Sequence, residues 1–480
     1  MPDPTPPPPP PQPDPQRLAE LNEPTDGPGG LVDSSGPPPA PGEPHDPYEA
    51  LRSPNFVRFA SGFVCSSFGL QMLATVVLFE VYDRTHDAIH LGYTGLARAL
   101  PVVLLALVSG HIIDTHDRKK ILVLTQFGFA AVGIGLAVCS LFHAPLWTLY
   151  VLLFCAGCVR SFNGPSRQAL LPLLVEKGGF ENAIKWTTGL FQFSAVTAPL
   201  VAGLLLDITK AAWVVYALMA ALCLAFAISS MGLQPREQVR TAKGLSLDSM
   251  LAGLGHLRRE KTVLGALLLD LFAVLLGGAT ALIPVYVTDV LHIDKNWAAT
   301  AQGALRASLY VGALIMAIIL AHRPPFRRSG ALLLGCVGFF GVCMIGFGYS
   351  TSFWLSVTLL LMAGAADQVS VVIRHVLVQV RTPDDLRGRV GAVNSLFIEC
   401  SNELGSYESG LTAKLFGPVT SVVGGGIGTV VVVAMIAWRI PELAGSARSV
   451  KPNPKANHHT LGRAQPVRGL LDRKSPSFHP

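Results

Sequence analysis

Apolar residues in this chain come in long runs, not in the short periodic stripes of a soluble core. Twelve runs approach or exceed the ~20 residues that a helix needs to cross a bilayer. They fall near Phe56–Leu78, Leu91–Ser109, Ile121–Leu141, Leu146–Phe162, Trp186–Leu206, Ala212–Met231, Leu264–Val287, Gly303–Ala321, Gly330–Tyr349, Phe353–Val372, Val390–Leu411 and Thr420–Trp438. The pattern predicts an all-α membrane protein with twelve transmembrane helices. The longest internal polar stretch, Gln234–Lys261, divides the runs six and six. This gives a first bundle over 48–233, a linker over 234–261 and a second bundle over 262–442. In the linker, Leu247, Met250, Leu251, Leu254 and Leu257 fall at helical spacing ahead of Arg258, Arg259 and Lys261. That spacing predicts an amphipathic helix along the membrane surface. Residues 1–47 are dominated by Pro and predict a disordered tail. Residues 443–480 are polar and basic, and predict a second disordered tail drawn to anionic lipid.

Composition agrees with the run pattern. The 480 residues are 50% hydrophobic and only 14% charged, whereas a soluble domain carries about 25% charge. The net charge of +6 therefore belongs to the loops and is no sign of a nucleic-acid partner. One set of loops holds Arg118, Lys119, Lys120, Lys177, Arg236, Arg258, Arg327 and Arg387; the other holds little beyond Arg84, Lys210, Lys295 and Lys414. Basic loops mark the cytoplasmic side, so both termini are expected in the cytoplasm of a multi-pass cell-membrane protein. All eight cysteines lie in apolar runs. Cys155 and Cys158 form a single CxxC with no second pair, which reads as buried structure rather than a metal site.

The two halves repeat. Arg167 and Leu170 recur as Arg374 and Leu377, 207 residues on, and Ser194/Ser401, Gly203/Gly410 and Leu204/Leu411 keep that offset. Gly95, Arg98 and Ala99 recur 208 residues on as Gly303, Arg306 and Ala307. A near-constant offset across half a chain indicates duplication into two parallel six-helix bundles.

Between the second and third runs stands Gly110-His-Ile-Ile-Asp114-Thr-His-Asp117-Arg118-Lys119-Lys120. It resembles the loop motif Gly-x-x-x-Asp-Arg-x-Gly-Arg-Arg/Lys of the major facilitator superfamily. Gly110, Asp114, Arg118 and Lys119 match, whereas Thr115 and Asp117 depart from the usual Arg and Gly. Asn55-Phe-Val-Arg58-Phe, Ser66-Ser-Phe-Gly69, Pro165-Ser-Arg167-Gln-Ala-Leu-Leu-Pro172, Leu282-Ile-Pro-Val285 and Arg387-Gly-Arg-Val390 resemble the superfamily branch of enterobactin exporters and related secretion transporters. The resemblance covers about Asn55 to Leu443. It implies a monomeric secondary transporter that exports a small molecule, such as a siderophore-like metabolite or drug, by proton antiport. It implies rocking of the halves about a midplane cavity lined mainly by spans 1, 4, 7 and 10. Import of a nutrient or metal complex, and a transport-inactive sensor or scaffold using the Pro-rich tail, stay open. The expected partners are a small-molecule substrate, protons and the lipid bilayer.

Ionisable groups inside spans are costly and need a partner or a function. Asp270, on the seventh span among Leu, Phe and Val, is the first candidate for proton coupling, or else is paired with a base such as Arg306. Glu399 and Glu403 stand four apart on the eleventh span and share a face. They read as a proton relay or a seat for a cation, or as groups hydrogen-bonded to Asn402 and Ser406. Arg98 and Arg306 hold matching places on spans 2 and 8 and suit an anionic group, or an interhelical salt bridge. Gln71 on span 1 is a further cavity candidate. Arg160 and Asp367 are repeat-related positions of opposite charge near the cytoplasmic ends of spans 4 and 10. They lead to an expected gate in which Asp114 pairs with Arg160, and His322 or Arg323 with Asp367. No GxxxxGK[ST] sequence is present, so nothing points to an ATP-driven pump. No convergent set of His, Ser and carboxylates points to an enzyme. No cofactor is called for.

Overall fold

A computed structural model describes residues 48–176, 179–236, 255, 260–277, 279–323, 329–441 and 443. The expected tail over 1–47, the expected tail over 443–480 apart from Leu443, and most of the linker with nearly all of its amphipathic helix lie outside the described residues. Among the described residues twelve long helices follow one another: α1 (Pro54–Thr85), α2 (Ala88–Thr115), α3 (Arg118–Leu141), α4 (Leu146–Leu170), α5 (Phe180–Thr209), α6 (Ala212–Met231), α7 (Lys261–Leu276), α8 (Ala298–Ala321), α9 (Ser329–Tyr349), α10 (Phe353–Arg381), α11 (Asp384–Phe416) and α12 (Pro418–Arg439). Among the described residues there is no strand. Eleven helical segments of the described residues are long and apolar enough to cross a membrane. The twelfth helix, α11, has 33 residues and is the least apolar of the long helices. Glu399, Asn402, Glu403 and Glu408 dilute it, yet it packs between α2, α7 and α12 like the others.

The helix ends are set by local chemistry. Ser53 accepts the Phe56 N–H and Pro54 opens α1, the side-chain cap and pre-set φ that a helix start favours. Asp87 caps α2 through the Ile89 N–H. Asp117 caps α3 through the N–H groups of Lys119 and Lys120 at 2.9 and 3.3 Å. The N-cap role explains why Asp stands where the family motif has Gly. The α7 helix stops at Gly277, and its path continues through a 3₁₀ turn (Ala279–Leu282), a short helical turn carrying Pro284, and a π turn (Tyr286–Val290).

Large apolar side chains stay exposed along mid-helix positions, such as Leu124, Ile134 and Val138 on α3. A water-facing helix would not carry such a surface; a lipid-facing one does. Inside, the apolar core has a shape that matters for function. We call the face where α1 begins and α12 ends the terminal face, and the opposite one the distal face. Toward the distal face one core joins both halves, from Met72, Val77 and Tyr216 to Leu282, Tyr286 and Phe347. Toward the terminal face the core splits. Phe56, Phe59, Leu122 and Phe226 form a cluster of the first half alone. Ala266, Leu333, Ile373 and Ile436, with Val263 and Val390 nearby, form clusters of the second half alone.

Two helix pairs carry the crossing between the halves: α5 on α8, and α2 on α11. The repeated glycines sit there. A Cβ on Gly203 would strike the Ala299 backbone, and one on Gly410 would strike Ala88 and Gly92. The repeat-related Gly303 and Gly95 face the Pro199 and Glu403 backbones in the same way. Small residues of this kind let helix backbones approach closely in a membrane.

Candidate functional site

Four charged side chains meet midway through the membrane, where α2 and α4 of the first half face α11 of the second. Arg98 Nη2 lies 3.0 Å from Glu403 Oε2. Arg160 Nη2 lies 2.7 Å from Glu399 Oε2, and its Nη1 is 3.7 Å from Glu403 Oε1. Glu403 thus bridges two arginines. The i, i+4 spacing of the two glutamates puts both on the face of α11 that looks across the interface. Ala99, Val102 and Cys400 complete a small cleft around the cluster. The members differ in exposure. Arg98 and Glu403 keep 16% and 10% of their side-chain surface, Arg160 and Glu399 46% and 39%.

This arrangement differs from the expected gate. Arg160 is the fifteenth of the 25 residues of α4, which runs on through Pro165 to Leu170. It therefore sits roughly 15 Å from the terminal end of its helix, and it turns across the interface to Glu399. Asp114 lies at that terminal end, on the last turn of α2. Asp367 is likewise mid-helix in α10, about 20 Å from Arg381. His322 and Arg323 close α8 at the terminal face, where His322 Nδ1 lies 2.8 Å from the Ile318 carbonyl. The second expected pair is thus separated by half a membrane. The glutamates also differ from the expected bonding to Asn402 and Ser406: Asn402 donates to the Ile398 carbonyl, and Ser406 to the Asn402 carbonyl.

Asp270 is paired with Arg374 of α10 instead of Arg306. Both side chains are buried. Arg306 donates from Nη1 to the Ala74 carbonyl at 3.2 Å, and Gln302 beside it donates to the Thr75 carbonyl at 2.9 Å. Those two bonds tie α8 to α1 across the interface. Gln71 is half-buried on α1, one turn before Thr75. In the loop motif, the Arg118 guanidinium donates to the Ala169 carbonyl at 3.1 Å, the cation-to-helix-end contact that a C-terminus favours. It pins the α2–α3 turn to the end of α4. Gly110 is buried, Asp114 and Lys119 half-buried.

The repeat is visible in the contacts. Arg374 meets Asp270 in the second half; the matching positions of the first half are Arg167 and Phe63, where the guanidinium lies 4.6 Å over the ring. Asp367 has Arg160 as its repeat mate. At that position the first half presents an arginine where the second presents an acid.

Sequence reasoning missed the distal clasps. The Tyr82 hydroxyl donates to the Asp289 carboxylate, and these two residues are themselves 207 positions apart. The Asp207 carboxylate accepts the N–H groups of Ala299 and Thr300 at 3.3 and 2.7 Å, capping α8 from the other half. Its repeat mate, Lys414, binds Asp87 at 2.7 Å, the residue that caps α2. Bonded to that ammonium, the Asp87 carboxyl is held below its usual range. A constant offset linked all four positions, but charges close to span ends read as ordinary loop charges.

The profile of the Major Facilitator Superfamily matches residues 59–406. The chain belongs to this superfamily. Curated relatives within it include the enterobactin exporter EntS of Shigella dysenteriae, 27% identical over 394 residues, which are 80% of this chain and 91% of the relative. The same protein from Escherichia coli O157:H7 matches to the same extent. Among solved structures, the nucleoside transporter NupG superposes with a TM-score of 0.65 at 9% identity, over 81% of this chain and 99% of that one. A bacterial homologue of the human lysosomal transporter Spinster, inward-facing and occupied, gives 0.65 at 13% identity, over 85% and 100%. The superfamily fold accounts for the two bundles and for the parallel repeat between them.

Proposed function

We propose that this major facilitator protein exports a small molecule across the cytoplasmic membrane, with protons entering in exchange. The terminal face, which carries the Arg- and Lys-rich loops, is then cytoplasmic. The observation that carries the reading is the cluster of Arg98, Arg160, Glu399 and Glu403. It draws charges from both halves into one cleft at mid-membrane, where charge is expensive without a task. The joined distal core and the split terminal core support an inward-facing state in which that cleft is reached from the cytoplasm. The outward direction is supported by the relatives named as enterobactin exporters. The arginine-bearing wall suits a siderophore-like or drug-like cargo with an anionic group. Asp270 and Asp367, grouped with Arg374 in the second half, are the proposed proton carriers.

The test compares cells with the protein, cells without it and cells bearing Asp270→Asn, by mass spectrometry of medium and cell contents, iron-starved cultures included. Export predicts a compound that accumulates inside null cells and is missing from their medium. Asp270→Asn should reach the membrane and still resemble the null. A medium component left unused by the null would replace export with import.

A further inference from the structure

The two ion pairs of the cleft are built differently. Glu403 is nearly buried and touches both arginines. Arg98, its nearer partner, is fixed further by donating from Nε to the Thr94 carbonyl at 3.3 Å. Glu399 is the opposite case. It is 39% exposed, it faces the cleft, and among the described residues Arg160 is its one ion-pair partner. Arg160 would keep Glu403 at 3.7 Å if Glu399 swung away. A displaced Glu399 starts from a position already 39% exposed, while a displaced Glu403 would be left uncompensated in a nearly closed site. Next to the Arg160 guanidinium the cleft wall is apolar, formed by Ala99 and Val102.

We infer that Glu399 is an internal stand-in for the anionic group of the cargo, and that Arg160 seats that group once Glu399 leaves. The ligand class is a small organic monoanion, a carboxylate or phenolate on an apolar body. Its oxygens take the place of the Glu399 carboxylate on the guanidinium fork, a geometry that arginine offers and lysine does not. Its body lies on Ala99 and Val102. The exchange swaps one anionic group for another, so the charge on Arg160 stays paired throughout. When the cargo departs, Glu399 returns and the empty site is neutral again. The Glu403–Arg98 pair is not exchanged; it holds the two halves in register.

This inference deepens the export reading and rests on it for the word cargo, but its test reads binding alone. Cys400 lines the same cleft and is a native reporter. The full chain in lipid nanodiscs is treated with a maleimide, and modification of Cys400 is followed by peptide mass spectrometry. The probes are benzoate, the neutral benzamide and the cationic benzylamine. Benzoate should slow modification of Cys400 while the other two do not. Arg160→Gln should abolish that protection. Glu399→Gln removes the internal competitor, so half-protection should come at about tenfold less benzoate. Glu408→Gln, which removes a carboxylate outside the cluster, should stay close to wild type. Unchanged or weaker benzoate protection in Glu399→Gln, protection by benzylamine, or no protection by any probe would each overturn the proposal. Should benzoate bind as described while null cells retain no compound, the export reading falls and the anion seat stands.

Discussion

Asp87 does two jobs with one carboxylate. It caps α2 within the first half and receives Lys414 from the second. Because the Lys414 bond holds its carboxyl below the usual range, the contribution of this contact is full above the ordinary carboxylate pKa of about 3.9. It is lost only as pH falls through the lowered folded value. Thermal stability of the purified protein should therefore show no step from this pair between about pH 5 and 8. Asp87→Asn and Lys414→Gln should each destabilise modestly, since both side chains are partly exposed. The double variant should lose no more than the larger single loss, read as a melting midpoint by intrinsic fluorescence. Fully additive losses would mean that the two residues act separately. Asp87→Ala should cost more than Asp87→Asn, because only the alanine also removes the cap of α2, an effect worth about 1 kcal/mol.

At the scale of elements, the chain is joined by two helix crossings and opened by none of its loops. The crossings depend on residues with no side chain. Gly203→Leu would force α5 off the Ala299 backbone of α8, and Gly410→Leu would do the same to α11 against α2. Either variant should insert and fold as two intact bundles, because each glycine faces the other half. Each should lose most transport, while an exposed substitution such as Ile134→Leu on the lipid face of α3 should lose none. The readout is export of the retained metabolite, normalised to protein in the membrane. Equal loss of membrane-inserted protein in the glycine variants would place the damage within a bundle instead. The helices themselves were legible as apolar runs, and so was the shared face of Glu399 and Glu403. Helix length was not. The spans α4 and α10 extend past their apolar windows through polar residues that pack inside the protein. For that reason Arg160 and Asp367 lie at mid-membrane rather than at an edge.

For the whole molecule, the repeat offset is the strongest thread from sequence to structure. It relates the glycines that stand at the two crossings, Gly203 to Gly410 and Gly95 to Gly303. It also held the distal clasps, since Tyr82 and Asp289, and Asp207 and Lys414, obey it too. What the offset does not supply is which partner a charge takes. Duplication fixes where a residue sits in its bundle, while pairing depends on how two bundles meet. That is why Arg160 met Glu399 across the interface.

The central claim is that cargo passes between the bundles because they part at one face and then at the other. Tyr82 and Asp289 sit face to face on the distal side, one from each half, at equivalent places. Tyr82→Cys with Asp289→Cys, in a chain whose eight native cysteines are replaced by Ser or Ala, would allow that face to be locked by a short bifunctional thiol reagent with a reducible link. Export of the metabolite that null cells retain should stop once the link is complete and return when it is reduced. Export that continues at full rate through a completely linked distal face would contradict the account.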